Sequence, residues 1–191
     1  MVKLNKIYTR TGDDGTTGLS DGSRTNKDCF RVRAYGEVDE ANSAVGVARL
    51  YIDNVELDRS LARIQNDLFD LGADLSTPTM EDAKEKESKS LRIVQSHVDR
   101  LEDELDALNA DLAPLKTFVL PGGSKPAAYL HLARAISRRA EREIVAMARE
   151  EDINYLALKY INRLSDYLFV AARWCNMQGR TDVKWVPGGE R

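Results

Sequence analysis

The sequence predicts an all-α protein, a five-helix up-and-down bundle that follows an irregular N-terminal arm. Two observations predict this class. Apolar residues recur at intervals of three and four in five separate stretches after residue 35, and that period is typical of amphipathic helices. Mostly short links join the stretches, which favours a bundle of neighbouring helices. Residues 1–35 lack the period, and a long irregular segment in a compact domain is usually functional or disordered.

Each predicted helix is marked by its own apolar stripe. In chain order, the stripes run over residues 38–52, 57–75, 91–108, 133–147 and 153–175. Pro114 is expected to end the third helix. Pro126 is expected to begin the fourth, because proline is tolerated in the first turn. The fifth helix should end near Asn176, with Gly179 suited to its C-terminal cap.

The segments between the stripes have distinct compositions. Residues 76–90 carry a proline, many charges and almost nothing apolar, which predicts an exposed mobile loop. Residues 118–124, FVLPGGS, predict a short strand-like piece followed by a turn. The tail VKWVPGGER predicts extended chain. The length of 191 residues fits one domain over the whole chain, 1–191.

The overall composition excludes several classes of function. The net charge of −3 leaves no basic surplus for nucleic acid, and no apolar run approaches the roughly 18 residues of a membrane span. The N-terminus lacks an apolar signal region, which favours a cytoplasmic location. Cys29 and Cys175 match neither a disulfide framework nor a zinc pattern. His97 and His131 are too few for a histidine metal site and are predicted to face solvent.

The arm contains the stretch KIYTRTGDDGTTGL, residues 6–19, which combines three glycines with four threonines. It matches neither the Walker A pattern nor GxGxxG, so neither a P-loop NTPase nor a Rossmann site is supported. Its backbone N–H groups and hydroxyls are suited to cradle phosphate oxygens, with Lys27 as a nearby positive charge. An ordinary turn rich in glycine and aspartate is the equally weighted alternative.

The fourth helix carries a ridge of arginines. Arg134, Arg138 and Arg142 recur every four residues, so they drift only about 80° around the helix and lie apart from its apolar stripe. Such a ridge is either a solvated face with Glu–Arg pairs or a site for an anion. Arginines stacked in this way repel one another unless an anion or a carboxylate lies between them.

The side of the fifth helix opposite its stripe is chemically mixed. It is either exposed surface or a second buried face against a neighbouring subunit, and its members are Asn162, Asp166, Phe169 and Arg173. Asp39 lies near the start of the first helix, where an acid suits the helix dipole. Together the glycine–threonine loop, the lysine, the arginine ridge and the helical asparagine are the parts of a triphosphate site without a Walker motif.

Five stretches occur in a characteristic order: IYTRTGDDGTTGL, YGEVDEANSAVG, FVLPGGS, ARAISRRAEREI and YINRLSDYLFVAAR. In these stretches the chain resembles the PduO-type ATP:cob(I)alamin adenosyltransferases, from about Lys6 to Trp174. The resemblance implies a five-helix bundle of the ferritin-like, adenosyltransferase kind that forms a homotrimer with active sites between subunits. It also implies transfer of the 5′-deoxyadenosyl group of ATP to the cobalt of a reduced corrinoid, cob(I)alamin or cob(I)yrinic acid a,c-diamide, with release of triphosphate.

The resemblance also implies roles for individual residues. Arg138, Arg134 and Asp39 are the implied catalytic residues, the last two as a salt bridge between subunits. Asn162 is associated with magnesium-bound phosphates. Phe118 matches an aromatic under the corrin ring that keeps the lower axial ligand away from cobalt. The implied ATP contacts are Thr9, Arg10, Thr11, Gly12, Thr17, Gly18, Lys27, Arg138, Arg139, Glu141, Arg142 and Asn162.

The resemblance further implies Mg²⁺ and K⁺ beside the two substrates, ATP and the corrinoid. A flavin-dependent reductase and a B12-dependent acceptor enzyme are the implied protein partners. One departure is Asp14, because many relatives have lysine there. The main alternative is a non-catalytic module of the same fold that binds ATP or corrinoid, or delivers the cofactor. A purely structural helical scaffold would not explain the glycine–threonine arm.

Overall fold

The computed structural model describes residues 7–78 and 91–189, and within these ranges it contains five α-helices and one short β-hairpin. The strands β1 (Thr16–Gly18) and β2 (Arg24–Asn26) pair antiparallel, with Thr17 opposite Thr25. The helical prediction is confirmed, whereas the hairpin inside the arm was not predicted. The helices are α1 (Phe30–Arg49), α2 (Val55–Leu75), α3 (Gln95–Asn109), α4 (Lys125–Met147) and α5 (Tyr155–Cys175).

Helix α1 begins at Phe30, inside the stretch that was predicted to be irregular arm. The core-facing stripe extends about two turns further back than the apolar pattern showed, through the buried Ala34 to the buried Arg31. Its guanidinium donates through Nε to Glu151 Oε2 at 2.8 Å and through Nη1 to the backbone oxygen of Leu75. A buried charge is tolerated when it is paired and hydrogen-bonded in this way. Because an arginine occupies this core position, the apolar pattern did not show where the buried stripe begins.

The helices pack in the spatial order α2, α1, α4, α5, α3. Helix α1 lies between α2 and α4, and α5 lies between α4 and α3. The core between them is built from the predicted stripes, including the fully buried Leu61, Leu68 and Leu130. Helix α3 is shorter than predicted because it begins at Gln95 rather than near Leu91.

The loop before α4 and the C-terminal tail pair with each other. Val119 and Lys184 form an antiparallel bridge. The backbone N–H of Leu120 donates to the oxygen of Val183 at 2.7 Å, and that of Trp185 donates to the oxygen of Phe118 at 2.9 Å. The predicted strand-like piece and extended tail are therefore two sides of one short ribbon.

The predicted mobile loop at 76–90 falls outside the described residues from position 79 onward. At its start, Ser76 caps the end of α2, and its backbone oxygen accepts a hydrogen bond from the Ser20 N–H at 3.2 Å. This bond ties the arm to the end of α2. None of the helices in the described ranges combines the length and the apolar character that a membrane span needs.

Candidate functional site

The glycine–threonine loop of the arm is a tight turn closed by Lys27. The Gly15 N–H donates to the Gly12 oxygen at 3.2 Å, and Gly15 has a φ of +86°, which favours glycine. Lys27 donates to the same Gly12 oxygen through Nζ at 2.7 Å, and its N–H bonds the Gly15 oxygen at 2.9 Å. The lysine charge is therefore held at the loop, as the phosphate interpretation requires.

Asp14 stabilises the hairpin. Its Oδ1 accepts hydrogen bonds from the Thr16 hydroxyl at 2.7 Å and the Thr16 N–H at 2.9 Å. These bonds, with the charge of Arg24, lower the pKa of the Asp14 carboxyl below its usual value. Arg24 also donates to the Thr16 hydroxyl and to the backbone oxygen of Thr11. Sequence reasoning missed Arg24, which has no periodic or motif signal.

The segment before the turn presents its predicted ATP contacts to solvent. The hydroxyls of Thr9 and Thr11 are 3.0 Å apart, and both residues are exposed. Arg10 between them has a φ of +62°, and its guanidinium carbon lies 5.6 Å from the centroid of the Tyr8 ring. Thr17 and Gly18 follow on β1. Thr17 and Gly18 thus lie on the hairpin, whereas the predicted contacts at 9–12 precede it and Lys27 follows it.

A second group of predicted contacts lines a groove of about 420 Å³ on α4. Arg138, Glu141 and Arg142 line it together with Arg149. Asn162 on α5 joins the group because its side-chain Nδ2 donates to Glu141 Oε1 at 2.7 Å. Both Arg138 and Arg142 are exposed, so their positive charge is available to an anion rather than used inside the bundle.

Arg139 differs from its neighbours on α4. Its guanidinium forms ion pairs with Glu37 and Glu40 on α1, and these pairs raise its pKa above the ordinary value. Arg139 therefore ties α4 to α1, and contact with ATP would require it to exchange partners. Its predicted ATP contact stays a prediction.

The structure does not bring Arg134 and Asp39 together within one chain. Arg134 is half-buried, and its Nε is buried with no hydrogen-bond partner among residues 7–78 and 91–189. Burial, and then the charge of Arg138, lower the pKa of Arg134. Asp39 is exposed in a separate groove of about 630 Å³ between α1 and α2. Neither side chain has an ion pair in the described part of the chain.

Phe118 is 74% exposed on the loop before α4. Its ring lies edge-on to Trp185 of the tail, with the ring centroids 5.8 Å apart. Sequence reasoning missed Trp185, because the whole of α4 and α5 separates the tail from the loop in the sequence. A large aromatic ring held in solvent by a backbone ribbon is suited to cover an apolar face of a ligand.

The prediction that His131 faces solvent is wrong. His131 is only 1% exposed, its ring lies 6.0 Å from that of Phe169, and neither ring nitrogen has a hydrogen-bond partner among the described residues. Burial, and then the charge of Arg134, lower the pKa of His131 below 6.5. The imidazole is therefore neutral inside the folded protein near neutral pH.

The free energy of unfolding should fall as the pH drops below about 6.5, because the unfolded chain then binds a proton on His131 that the folded chain excludes. The slope that one histidine contributes is at most ~1.4 kcal/mol per pH unit. Urea unfolding at several pH values measures it. His131→Gln should flatten the dependence in this window, and His97→Gln should not. Equal slopes in the two variants would contradict this assignment.

A family model described as Cobalamin adenosyltransferase matches residues 7–175. The chain belongs to the cobalamin adenosyltransferase family. It is 54% identical over 193 residues to Corrinoid adenosyltransferase of Mycobacterium tuberculosis (strain ATCC 25618 / H37Rv), covering 100% of this chain and 97% of the relative. It is 45% identical over 185 residues to Corrinoid adenosyltransferase of Bacillus subtilis (strain 168), covering 94% of this chain and 92% of the relative.

A solved structure of the same family agrees with the fold. A variant PduO-type ATP:corrinoid adenosyltransferase from Lactobacillus reuteri, complexed with cobalamin and ATP, matches with a TM-score of 0.85 at 42% identity. The match covers 94% of this chain and 96% of that chain. The predicted family resemblance and the five-helix fold are confirmed.

Within this cobalamin adenosyltransferase family member, the predicted site residues form three separate groups. The hairpin and the residues that flank it hold the arm contacts and Lys27. The α4 groove is lined by Arg138, Arg142 and Glu141, with Asn162 bonded to Glu141, and the loop before α4 holds Phe118. Asp39 lines the groove between α1 and α2 together with Gly18 of the hairpin. The predicted residues are therefore divided among separate elements of the single chain.

The α4 groove also fits the Mg²⁺ that the family resemblance implies. Magnesium usually keeps several waters and takes one or two protein ligands plus substrate phosphates, rather than an all-protein cage. Across residues 7–78 and 91–189 there is no cluster of three or more His, Cys, Asp or Glu side chains that could hold a metal ion. Glu141 supplies a carboxylate at the groove instead, and its Oε1 accepts a hydrogen bond from Asn162 Nδ2 at 2.7 Å. The implied K⁺ stays a prediction.

Proposed function

We propose that this chain transfers the 5′-deoxyadenosyl group of ATP to the cobalt of a reduced corrinoid and releases triphosphate. The observation that carries the proposal is the groove lined by Arg138, Arg142 and Glu141, with Asn162 hydrogen-bonded to Glu141. The groove lies in a chain 54% identical over its full length to a corrinoid adenosyltransferase. The exposed arginines of the groove and the separate, lysine-closed glycine loop both match the charge of a triphosphate.

The reaction needs no protein nucleophile. The reduced corrinoid supplies the electron pair of Co(I), which forms a bond to the ribose C5′. The C5′–O bond breaks, and its electron pair leaves with the triphosphate, so cobalt passes from Co(I) to Co(III). This chemistry agrees with a site built from arginine, lysine, threonine and asparagine side chains rather than from a histidine or cysteine nucleophile.

The protein contributes charge stabilisation and positioning. Arg138 and Arg142 face the groove from one ridge, where fixed cations stabilise the negative charge that develops on the departing triphosphate. Lys27 and the hairpin add a second cationic contact. Mg²⁺, when bound with the phosphates, would add Lewis-acid stabilisation near Asn162 and Glu141. Holding both substrates in line also lowers the barrier by positioning them.

The functional unit is a homotrimer with its active sites between subunits. The unpartnered, buried Nε of Arg134 supports this assembly, because an orphaned buried donor is costly unless a group outside the chain bonds it. Asp39 of a neighbouring copy is the matching acceptor, since it is exposed and has no ion pair in the described part of its own chain. A salt bridge between Asp39 and Arg134 would connect the Asp39 groove of one subunit to the α4 arginine ridge of its neighbour.

Asp39→Asn should weaken the trimer and reduce kcat by about tenfold, which corresponds to ~1.4 kcal/mol, because it removes the charge that pairs with Arg134. Excess ATP should not restore the rate, since the damage lies at the interface. Light scattering and an ATP titration measure both effects, and Asp53→Asn in the exposed α1–α2 turn is the control. A trimer of unchanged mass with only a raised ATP KM would contradict this role.

Phe118 is the proposed contact with the corrin ring. An exposed aromatic at this position would exclude the lower axial ligand from cobalt, and axial ligands tune metal reduction potentials. A cob(II) corrinoid freed of that ligand is easier to reduce to the nucleophilic cob(I) form. A flavin-dependent reductase and a B12-dependent acceptor enzyme are the proposed protein partners. The chain is proposed to be a single domain over residues 1–191 and to act, like these partners, in the cytoplasm.

The alternative is a module that binds ATP or corrinoid, or delivers the cofactor, without consuming ATP. The test is an anaerobic reaction of the purified chain with MgATP and chemically reduced cob(I)alamin, followed by the absorbance change on Co–C bond formation. Catalytic turnover beyond one equivalent per site is the expected result. Tight ATP binding with no absorbance change would favour the non-catalytic module.

A further inference from the structure

A single buried asparagine connects the two sides of the Phe118 ribbon. Asn176 follows directly after α5 and is 0% exposed. Its Oδ1 accepts the N–H of Ser124 at 2.9 Å, and its Nδ2 donates to the Gly122 oxygen at 3.1 Å and to Asp182 Oδ1 at 3.2 Å. One side chain at the end of α5 thus bonds both the loop before α4 and the tail.

The tail side of this connection is anchored by a buried ion pair. Arg173 donates through Nε to Asp182 Oδ2 at 2.9 Å, and the two side chains are 7% and 1% exposed. Arg173 also donates through Nη2 to the Ala113 oxygen at 3.0 Å. Both carboxylate oxygens of Asp182 are therefore used, one by Arg173 and the other by Asn176. Arg173, predicted at the polar side of α5, is buried within its own chain.

The loop side fits closely against Asn176. Gly123 has a φ of +100°, and a Cβ built there would overlap the Asn176 amide. Ser124 caps α4 by accepting the Ala127 N–H, and its hydroxyl donates to the Cys175 oxygen at 3.0 Å. The close approach of Gly123 to Asn176 holds the loop against the end of α5, and the Ser124 cap fixes where α4 begins.

We propose that Asn176, supported by the Arg173–Asp182 pair, is a positioning residue that holds Phe118 and Trp185 in place for the corrinoid. This inference rests on the proposed function. Asn176 touches neither ring. It acts through the loop that carries Phe118 and through the tail that carries Trp185. The family match ends at residue 175, so Asn176 and Asp182 lie beyond the part of the chain that the match covers.

The position of Asn176 predicts a selective effect. Ser124 precedes Arg138 by 14 residues of α4, which corresponds to about 21 Å along a helix. Asn162 and Asn176 are separated by a similar length of α5. Loosening the loop should therefore change the corrinoid parameters and leave the ATP groove unaffected, whereas a general loss of stability would change both.

The first measurement uses the free protein. In a Trp174→Phe background, Trp185 is the single tryptophan of the chain, and acrylamide quenching of its fluorescence reports whether the ribbon is closed. Asn176→Ala should raise the quenching constant about twofold or more, because a detached tail exposes an indole that is 41% exposed in the closed ribbon. Asn109→Ala, an exposed asparagine at the end of α3, is the matched control.

The second measurement is steady-state kinetics with cob(I)alamin and ATP. Asn176→Ala should lower kcat/KM for the corrinoid by about tenfold to a hundredfold, the equivalent of lost buried hydrogen bonds. The KM for ATP should change by less than about twofold. Asn176→Ser, which keeps a small polar group, is measured in parallel, and circular dichroism verifies that both variants are folded.

Unchanged Trp185 quenching in the folded variants would overturn the proposal. So would equal losses toward ATP and the corrinoid, or a detached ribbon with unchanged corrinoid kinetics. If the wild-type chain transfers no adenosyl group, the proposed function fails, and the fluorescence result on the free protein still decides whether Asn176 holds the ribbon.

Discussion

Arg138→Ala should lower kcat about a hundredfold to a thousandfold, the usual effect of removing one preorganised group that stabilises developing negative charge. The residue is exposed, lines the α4 groove, and its guanidinium has no ion pair among the residues that the structure describes. Its charge is thus available to the triphosphate. The free energy of unfolding should change by no more than about 0.5 kcal/mol, as is usual for a surface substitution.

The matched control for Arg138→Ala is Arg59→Ala. Arg59 is a mostly exposed arginine on α2 whose ion pair is with Glu56 in the same helix. The Arg59→Ala substitution removes the same positive charge at a position outside the groove, so kcat should be unchanged. Single-turnover rates at saturating MgATP and cob(I)alamin, with urea unfolding of each variant, make the comparison. A rate for Arg138→Ala near that of the unmodified chain would overturn the role of the ridge.

Phe118→Ala should impair the reaction that starts from cob(II)alamin and a reductase more than the reaction that starts from prepared cob(I)alamin. The physical reason is that removing the ring allows the lower axial ligand to return, which makes cobalt harder to reduce. A shift of ~59 mV in a one-electron potential changes the reduced fraction tenfold. We therefore expect the two losses to differ by about tenfold or more.

Stability is not expected to explain the Phe118 effect. The ring is 74% exposed, so its truncation removes little buried surface. Tyr155→Ala, which truncates another exposed aromatic at the start of α5, is the control. Both assays are run anaerobically at saturating ATP. Equal losses from cob(II) and cob(I) would refute the axial-ligand argument.

The helices could be predicted because their signal is local. Apolar residues at helical spacing fix the inward face of each helix, whatever it packs against. The start of α1 was missed because an arginine rather than an apolar side chain occupies the core position there. Arg31 is tolerated in the core because it forms an ion pair with Glu151, which is distant in the sequence. The burial of His131 was missed for a similar reason, since Phe169 lies on a different helix.

The spacing along α4 could predict which arginines share a surface but not what each of them contacts. The spacing on α4 placed Arg138 and Arg142 on one ridge, and the structure has them in one groove. The same spacing could not show that Arg139 pairs with two glutamates on α1, because that depends on how α1 packs against α4.

The arm shows what local chemistry can and cannot reveal. Asp14 accepts hydrogen bonds from Thr16 two residues later, a turn that aspartate commonly forms. The hairpin that this turn supports could not be predicted, because its strands are only three residues long. An aspartate in the glycine loop is therefore compatible with a phosphate site, since its carboxylate is used inside the hairpin.

In the proposed reaction, the C5′ carbon of ATP becomes bonded to cobalt while the triphosphate leaves intact. The most direct measurement is an anaerobic reaction of cob(I)alamin with ATP labelled with ¹³C at C5′, analysed by ¹³C NMR and by chromatography of the phosphates. We expect a labelled cobalt–carbon product and one equivalent of triphosphate for each product formed. Unconsumed ATP, or ADP and phosphate without a labelled cobalt–carbon product, would contradict it.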